Sequence, residues 1–170
     1  MERKDIQLIQ LTPAAVQDIL SGVVLLECRE HLCAAGDLVP DVVARYAMEG
    51  HRSGRDWFWC APRLFCDASL RLIVGSGFFK ASSAPNTVEI GYGVAEAHEG
   101  KGYASAGVAR MVEEAFAHGV DAVTAETSIH NPASQRVLEK NGFRRIGQRE
   151  DKEDGLLTQW RRSRVVRPAP

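Results

Sequence analysis

The strongest pattern in the chain lies between residues 87 and 115. Val88, Ile90, Tyr92 and Val94 alternate with Glu89, Gly91 and Gly93, the period of two that a strand requires. Ala104, Val108, Met111, Val112 and Ala115 then recur at spacings of three and four, the stripe of an amphipathic helix. Between strand and helix sits Glu99-Gly100-Lys101-Gly102-Tyr103-Ala104, a glycine-rich turn. A turn of this kind exposes free backbone N–H groups at the positive end of the helix dipole, an anion site suited to phosphate oxygens. Small residues at 100, 102 and 104 let a ligand lie against the backbone itself.

Ile6 to Leu11 reads as a first strand, and Thr12-Pro13 as an N-cap followed by proline at the first helical position. Val16, Ile19 and Leu20 give that helix its apolar face, and Gly22 ends it. Residues 23–36 fit buried strand or helix equally. Val42, Val43, Tyr46 and Ala47 predict a second helix ending near Gly50. Trp57–Cys66 reads as a strand that Pro62 interrupts or pushes to an edge. A turn at Asp67-Ala68-Ser69 leads to Leu70–Lys80, where Gly75 and Gly77 suggest a bulge or close packing. Gly119 caps the long helix, and Val120–Ile129 contains a strand whose helical crossover demands parallel pairing. Pro132 opens another helix, closed by Asn141-Gly142, and Phe143–Glu150 with Leu156–Arg162 forms a final hairpin.

Bulk properties narrow the class. At 170 residues the chain is expected to be one domain, 1–170, with flexible ends at 1–5 and 163–170. Its 45% hydrophobic and 25% charged fractions are those of an ordinary soluble globular protein. A formal net charge of −1 offers no global field for nucleic acid or an anionic membrane. No apolar run approaches a membrane span, and the start MERKD lacks a signal-peptide core, so a cytoplasmic location is the expectation. Cys28, Cys33, Cys60 and Cys66 fit that compartment as reduced, mostly buried thiols. The spacing Cys28-x-x-His31-x-Cys33 is not a standard zinc one and no matching CxxC follows, so no metal is expected.

The anion turn admits several readings. A tight turn without a ligand is the plainest. A Rossmann site has the strand, glycines, helix and a downstream acid (Asp121 or Glu126), but Ser105 stands where the third glycine belongs and only one crossover is evident. A P-loop is excluded because Gly100-Lys101 is followed by Gly102, not Ser or Thr.

The turn resembles motif A of the GNAT superfamily of N-acetyltransferases, Q/R-x-x-G-x-G/A. Gly102 and Ala104 fill its last two fixed positions, while Glu99 departs from the Gln or Arg of the first. Asn131-Pro-Ala-Ser134-Gln-Arg-Val-Leu-Glu139-Lys-Asn-Gly142-Phe143 is similar to a second signature of the family, N-x-x-S-x-x-x-x-E-K-x-G-F. The EIGY run at Glu89 resembles the ribosomal-protein-alanine acetyltransferase branch. The resemblance covers roughly residues 6–162, its specific residues lying within 88–143.

That likeness implies an α/β fold, a central mixed and mainly antiparallel twisted sheet of six or seven strands flanked by about four helices. It implies acetyl transfer from acetyl-CoA to a primary amine, a small molecule or a protein N-terminus, by direct attack. The partners expected are that amine, with no nucleic acid and no membrane, and the chain acts as a monomer or homodimer. Glu99, Gly100, Lys101, Gly102, Tyr103 and Ala104 would then hold the coenzyme pyrophosphate. Tyr92, Gly93 and Val94 would offer backbone to the thioester arm, whose amides need donors and acceptors, with the Val94 N–H as an oxyanion donor. Asn131 would bond the arm as well as cap its helix. The general-acid Tyr of many relatives is replaced by Leu138, which leaves Ser134 as the proton donor, helix capping being its plainer role. For the base, Glu89 comes first, ahead of Glu126 and His130, with a carboxylate in a core network as the plain alternative. No cysteine falls in either motif, so a covalent acetyl-enzyme has no support. The departures at Glu99 and Leu138 leave a second class open, a non-catalytic acyl-CoA-binding module.

Overall fold

A computed structural model describes residues 4–23 and 38–165, with 32–33 described by backbone alone. Five helices and eight strands follow in the order β1 (Ile6–Gln10), α1 (Pro13–Leu20), β2 (Leu32–Cys33), α2 (Asp41–Arg52), α3 (Trp57–Cys60), β3 (Arg63–Asp67), β4 (Leu72–Ala81) and β5 (Thr87–Val94). They continue as α4 (Tyr103–Ala117), β6 (Ala122–Ser128), α5 (Pro132–Lys140), β7 (Arg144–Asp151) and β8 (Gly155–Ser163). The main sheet runs β1-β3-β4-β5-β6-β8-β7, and the two-residue β2 pairs with β4 off that path. Pairing is antiparallel except for β5–β6 and β2–β4, so the mixed, mainly antiparallel expectation holds. The β5–α4–β6 crossover supplies the expected parallel pair.

Two cores sandwich this sheet. On one face Val88 and Ile90 pack with Val108, Met111 and Val112 of α4, Leu138 of α5 and Trp160 of β8. On the other, Val16 of α1 and Val43, Ala44 and Ala47 of α2 pack on Leu64, Cys66 and Ile73. Each large apolar side chain removed from water contributes about 1.5–3 kcal/mol. Thr12 caps α1 as expected, its hydroxyl accepting from the Ala15 amide at 3.2 Å. Gly75 and Gly77 serve close packing: a Cβ at Gly75 would strike the Gly93 carbonyl, and one at Gly77 would strike Met111.

Two sequence readings need correction. Trp57–Cys66 is not one strand. The Asp56 carboxylate accepts from the Phe58 amide at 3.0 Å and starts the short α3, which ends before Pro62. Arg63–Asp67 then forms a fully buried strand between β1 and β4, not an edge. Pro62 lies outside the ladder, so it costs no strand hydrogen bond. α2 also runs on through Gly50 to Arg52, because Gly50 faces Cys60, where a side chain would collide. The final hairpin forms as expected, and its second strand, β8, is the one that lies against β6. Most of the ambiguous 23–36 segment, with Cys28 and His31, lies outside the described residues.

A buried cation helps to hold α3 and α4 to the sheet. Arg63 is fully buried, its Nε 2.8 Å from Glu114 Oε2 and its Nη1 and Nη2 donating to the Ala61 and Phe58 carbonyls at 2.7 and 2.9 Å. The guanidinium lies between the Phe58 and Phe79 rings at 4.5 and 4.4 Å. Burial lowers its pKa from the ordinary arginine value, and Glu114 works against that shift.

Candidate active site

β5 loses one of its two partners partway along. Thr87, Val88 and Glu89 pair with Ala122, Val123 and Thr124 of β6, and the pairing stops there. The opposite edge of β5 stays paired to β4 through Val94, and the Ala95 amide continues the ladder to the Val74 carbonyl at 2.8 Å. Antiparallel strands bond at alternate residues, so this fixes the direction of the rest. The Tyr92 and Val94 peptide groups point toward the β6 side, where no strand meets them.

Beyond β5 a short 3-10 turn (Glu96–His98) leads to Gly100 and Gly102, whose φ angles of +69° and +86° are left-handed. Only glycine adopts this conformation freely. Gly102 is the N-cap of α4 and brings no side-chain cap. The amides of Gly100, Lys101, Gly102, Tyr103, Ala104 and Ser105 donate to no acceptor among the described residues. Six free donors at the positive end of a 15-residue helix form a cradle for an anion.

The cradle opens into a cavity of about 440 Å³ between α4, α5 and the free end of β5. Of the residues picked out in sequence, Tyr92, Gly93, Val94, Glu99, Gly100, Gly102, Tyr103, Ala104, Asn131 and Ser134 line it. Lys101 does not line it, and its Nζ donates to the Ala97 carbonyl at 2.7 Å. Tyr103 contributes by its backbone: its buried phenol donates to Asp67 Oδ2 at 2.9 Å, beneath the helix start. Burial and the Asp67 carboxylate raise the Tyr103 pKa. Burial opposes the charge on Asp67, but bonds from Ser69, Tyr103 and the Leu70 amide outweigh it and lower its pKa.

Asn131 caps α5, its Oδ1 accepting from the Ser134 amide at 3.0 Å. The Ser134 hydroxyl lies 2.7 Å from the Tyr92 phenol oxygen, which also reaches the Ser134 carbonyl at 3.2 Å. Burial pushes the Tyr92 phenol up to about 12, against the opposing Ser134 bond. Sequence reading assigned Tyr92 for its backbone alone; the phenol–hydroxyl pair spans 42 residues and leaves no local signal. It also passed over Arg136 and read Lys140, with Glu139, as a solvated helix face; both Arg136 and Lys140 line the cavity with Ala133 and Val137. Their three- and four-residue spacing marks a common helix face. Leu138, at the position of the missing acid, is fully buried in the core.

A second cavity of about 420 Å³ lies on the α2 face, bounded by Leu38, Pro40 and Val43 and by Ser76 and Phe78 of β4. It shares Tyr92, Gly93, Val94 and Glu99 with the first. A Cβ at Gly93 would meet nothing within 4 Å, so this wall is open.

The candidate bases lie apart from both cavities. Glu89 sits in the paired half of β5, its Oε1 3.2 Å from Lys80 Nζ. Glu126 holds Arg149 in a two-point contact at 2.7 and 2.6 Å and accepts from Gln159 at 3.2 Å. The Arg149 bond leads the effects that lower its pKa, against the burial that raises it. His130 is exposed, its amide donating to Ser128 Oγ at 3.2 Å. Among the described residues no group of three His, Cys, Asp or Glu is arranged to hold a metal ion. No helix there is long and apolar enough to cross a membrane.

A sheet opened between two parallel strands, above an anion cradle at a helix start, offers backbone donors and acceptors to an anionic ligand that carries amides. The chain belongs to the acetyltransferase (GNAT) domain family, whose description matches residues 35–144. The protein is accordingly an acyltransferase of the N-acetyltransferase class. Its fold is similar to that of a spermidine N-acetyltransferase chimera from Vibrio cholerae and hSSAT, with a TM-score of 0.65 at 13% identity over 93% of this chain and 95% of that one. It is equally similar to ribosomal-protein-S5-alanine acetyltransferase from Vibrio fischeri, with a TM-score of 0.65 at 13% identity over 96% and 95%. RimJ of Mycobacterium smegmatis, solved with CoA-disulfide, has a TM-score of 0.58 at 23% identity over 72% of this chain and 59% of that one. A search of the curated proteins finds no significant match.

Proposed function

We propose that the protein transfers the acetyl group of acetyl-CoA to a primary amine by direct attack across the open half of β5. The observation that carries this reading is that two cavities, one on each face of the sheet, meet at Tyr92, Gly93, Val94 and Glu99. The coenzyme belongs on the α4 face, where free amides at 100–105 receive the pyrophosphate and Arg136 and Lys140 add positive charge. The unpaired peptide groups of Tyr92 and Val94 suit the amides of the thioester arm. The amine belongs on the α2 face, so that nucleophile and carbonyl meet without sharing an entrance.

In the reaction, the amine lone pair attacks the thioester carbonyl carbon while the Val94 N–H steadies charge on its oxygen. The carbon–sulfur bond breaks, and the departing thiolate takes a proton from the Ser134 hydroxyl, which is replaced from the Tyr92 phenol and, in turn, from solvent water. Tyr92 backs that hydroxyl with its own, 2.7 Å away. The amine proton leaves through water. Glu89 stands four residues before Gly93, roughly 13 Å along an extended strand, and Glu126 is two positions nearer on β6.

The test is acetyl-CoA-dependent thiol release across amino acids, polyamines, aminoglycosides and peptide N-termini, with Ala104→Glu as control. A carboxylate at this first-turn position suits the helix dipole, so folding is kept. It also faces the coenzyme phosphates, so acetyl-CoA binding should fall at least ten-fold. Binding without thiol release from any amine would favour a non-catalytic acyl-CoA module. Unchanged coenzyme affinity in the folded variant would overturn the assignment of the cradle.

A further inference from the structure

At the other end of α5 from Asn131 lies a third cavity of about 750 Å³, and its lining is cationic. Lys140, Arg144, Arg161, Arg162 and Arg164 border it, with Glu113 as the one carboxylate on its wall among the described residues. Glu113 is already engaged, 2.9 Å from Arg110 Nη1. Arg162 is fixed in place, donating to the Asn141 carbonyl at 2.8 Å with its guanidinium 5.8 Å from the Phe116 ring centroid. The side chains of Lys140, Arg144, Arg161 and Arg164 have no partner among the described residues.

The register makes the cluster more unusual. Arg144 of β7 and Arg161 of β8 are direct cross-strand partners, so two guanidinium groups start from opposed positions on one face of the hairpin. Like charges directly opposite are destabilising, and the one carboxylate on the wall among the described residues is already paired. The chain as a whole carries a formal charge of −1, so this is a local concentration and not part of a basic surface. Arginine forks match the paired oxygens of phosphate, as they do those of carboxylate, and a phosphate's greater charge suits a cluster of several cations. Lys140 lines this cavity and the α4–α5 cavity alike, so the two are neighbours across one side chain.

We propose that this cavity is a second phosphate site, built to hold the terminal phosphate of a nucleotide-sized ligand. The phosphate can come from the coenzyme, whose 3′-phosphate would reach past Lys140, or from a separate nucleotide. The site stands without the acetyl-transfer reading; only the first source rests on it.

The double variant Arg144→Gln/Arg161→Gln tests both sources. It removes the opposed charges and should melt no lower than the parent. Calorimetry on parent and variant compares coenzyme A with 3′-dephospho-coenzyme A, then titrates ATP into protein saturated with coenzyme A. If the 3′-phosphate is the ligand, the parent prefers coenzyme A by on the order of ten-fold and the variant erases that preference. If a separate nucleotide is the ligand, ATP binds the saturated parent and fails to bind the saturated variant. A folded variant that matches the parent in both titrations overturns the proposal. Absence of acetyl transfer with any amine would defeat the enzymatic reading and leave either binding result standing.

Discussion

The two halves of β5 have the same alternation and opposite uses. In the first half both edges are paired at Val88 and Glu89, and Val88 lies in the α4 core. In the second, the β6 edge is bare, and Tyr92, Gly93 and Val94 line cavities on both faces. An unpaired strand edge inside a sheet leaves peptide donors and acceptors that something must satisfy. Here the α4 start adds six more free amides beside them. The closed half is thus scaffold, and on the proposed reading the open half is binding surface. Substitutions in the two halves should fail in different ways.

The largest effect is expected at the junction. Ile90 is 3% exposed and packed against α4, so Ile90→Ala should destabilise the fold by about 2–5 kcal/mol. Denaturant unfolding measures this, and the surviving folded fraction should keep the parent's KM for acetyl-CoA. A large KM change with normal stability would mean that the open half begins one residue earlier.

Next comes Ser134→Ala in the open half, which should lower kcat on the order of 10²-fold while moving the coenzyme KM little. Reduced stability with normal turnover would instead assign Ser134 to helix structure. Tyr92→Phe separates the phenol from its ring. The Tyr92 pKa is raised from 10.0 to about 12 in the folded protein. Its contribution to stability is therefore fully present below pH 10 and is lost as pH rises through about 12. The stability gap between parent and Tyr92→Phe should shrink across that window; parallel curves would show that the phenol ionises normally.

The base is a direct contest between the halves. Glu89→Gln acts in the closed half, Glu126→Gln on the strand facing the open one. If the nearer carboxylate assists the amine through water, Glu126→Gln should cut turnover at neutral pH about ten-fold more than Glu89→Gln. The loss should shrink at high pH, where free amine is already populated. The reverse order would return the role to Glu89 and require a longer water path.

Much of this division was legible in sequence. Alternation located β5, glycines located the cradle, and Asn131-Pro132 located the start of α5. Missed features were those decided by partners distant in the chain or by a local rival. Trp57-Phe58-Trp59-Cys60 has strand-forming composition, yet the Asp56 cap turns it into a helix. Nothing local reveals that β8 lies against β6, or that the Tyr92 phenol meets Ser134. The point where β6 leaves β5 was equally hidden, because Glu89 and Gly91 satisfy the same alternation.

Glu99 carries the smallest expected effect and the sharpest test of the divide. It is exposed and borders both cavities, so one carboxylate faces phosphates on one side and an ammonium on the other. Across roughly 8 Å of water-like medium, two unit charges interact by about 0.5 kcal/mol. Glu99→Gln should therefore tighten acetyl-CoA about two-fold and weaken a cationic amine by a similar factor. The two KM values move in opposite directions, which a general disturbance of the loop would not produce. Both differences should fade as salt is raised, since exposed charges are screened within about 10 Å at 0.1 M. If both KM values rise together, Glu99 acts through the turn's conformation, and the shared border of the two cavities is then held by backbone alone.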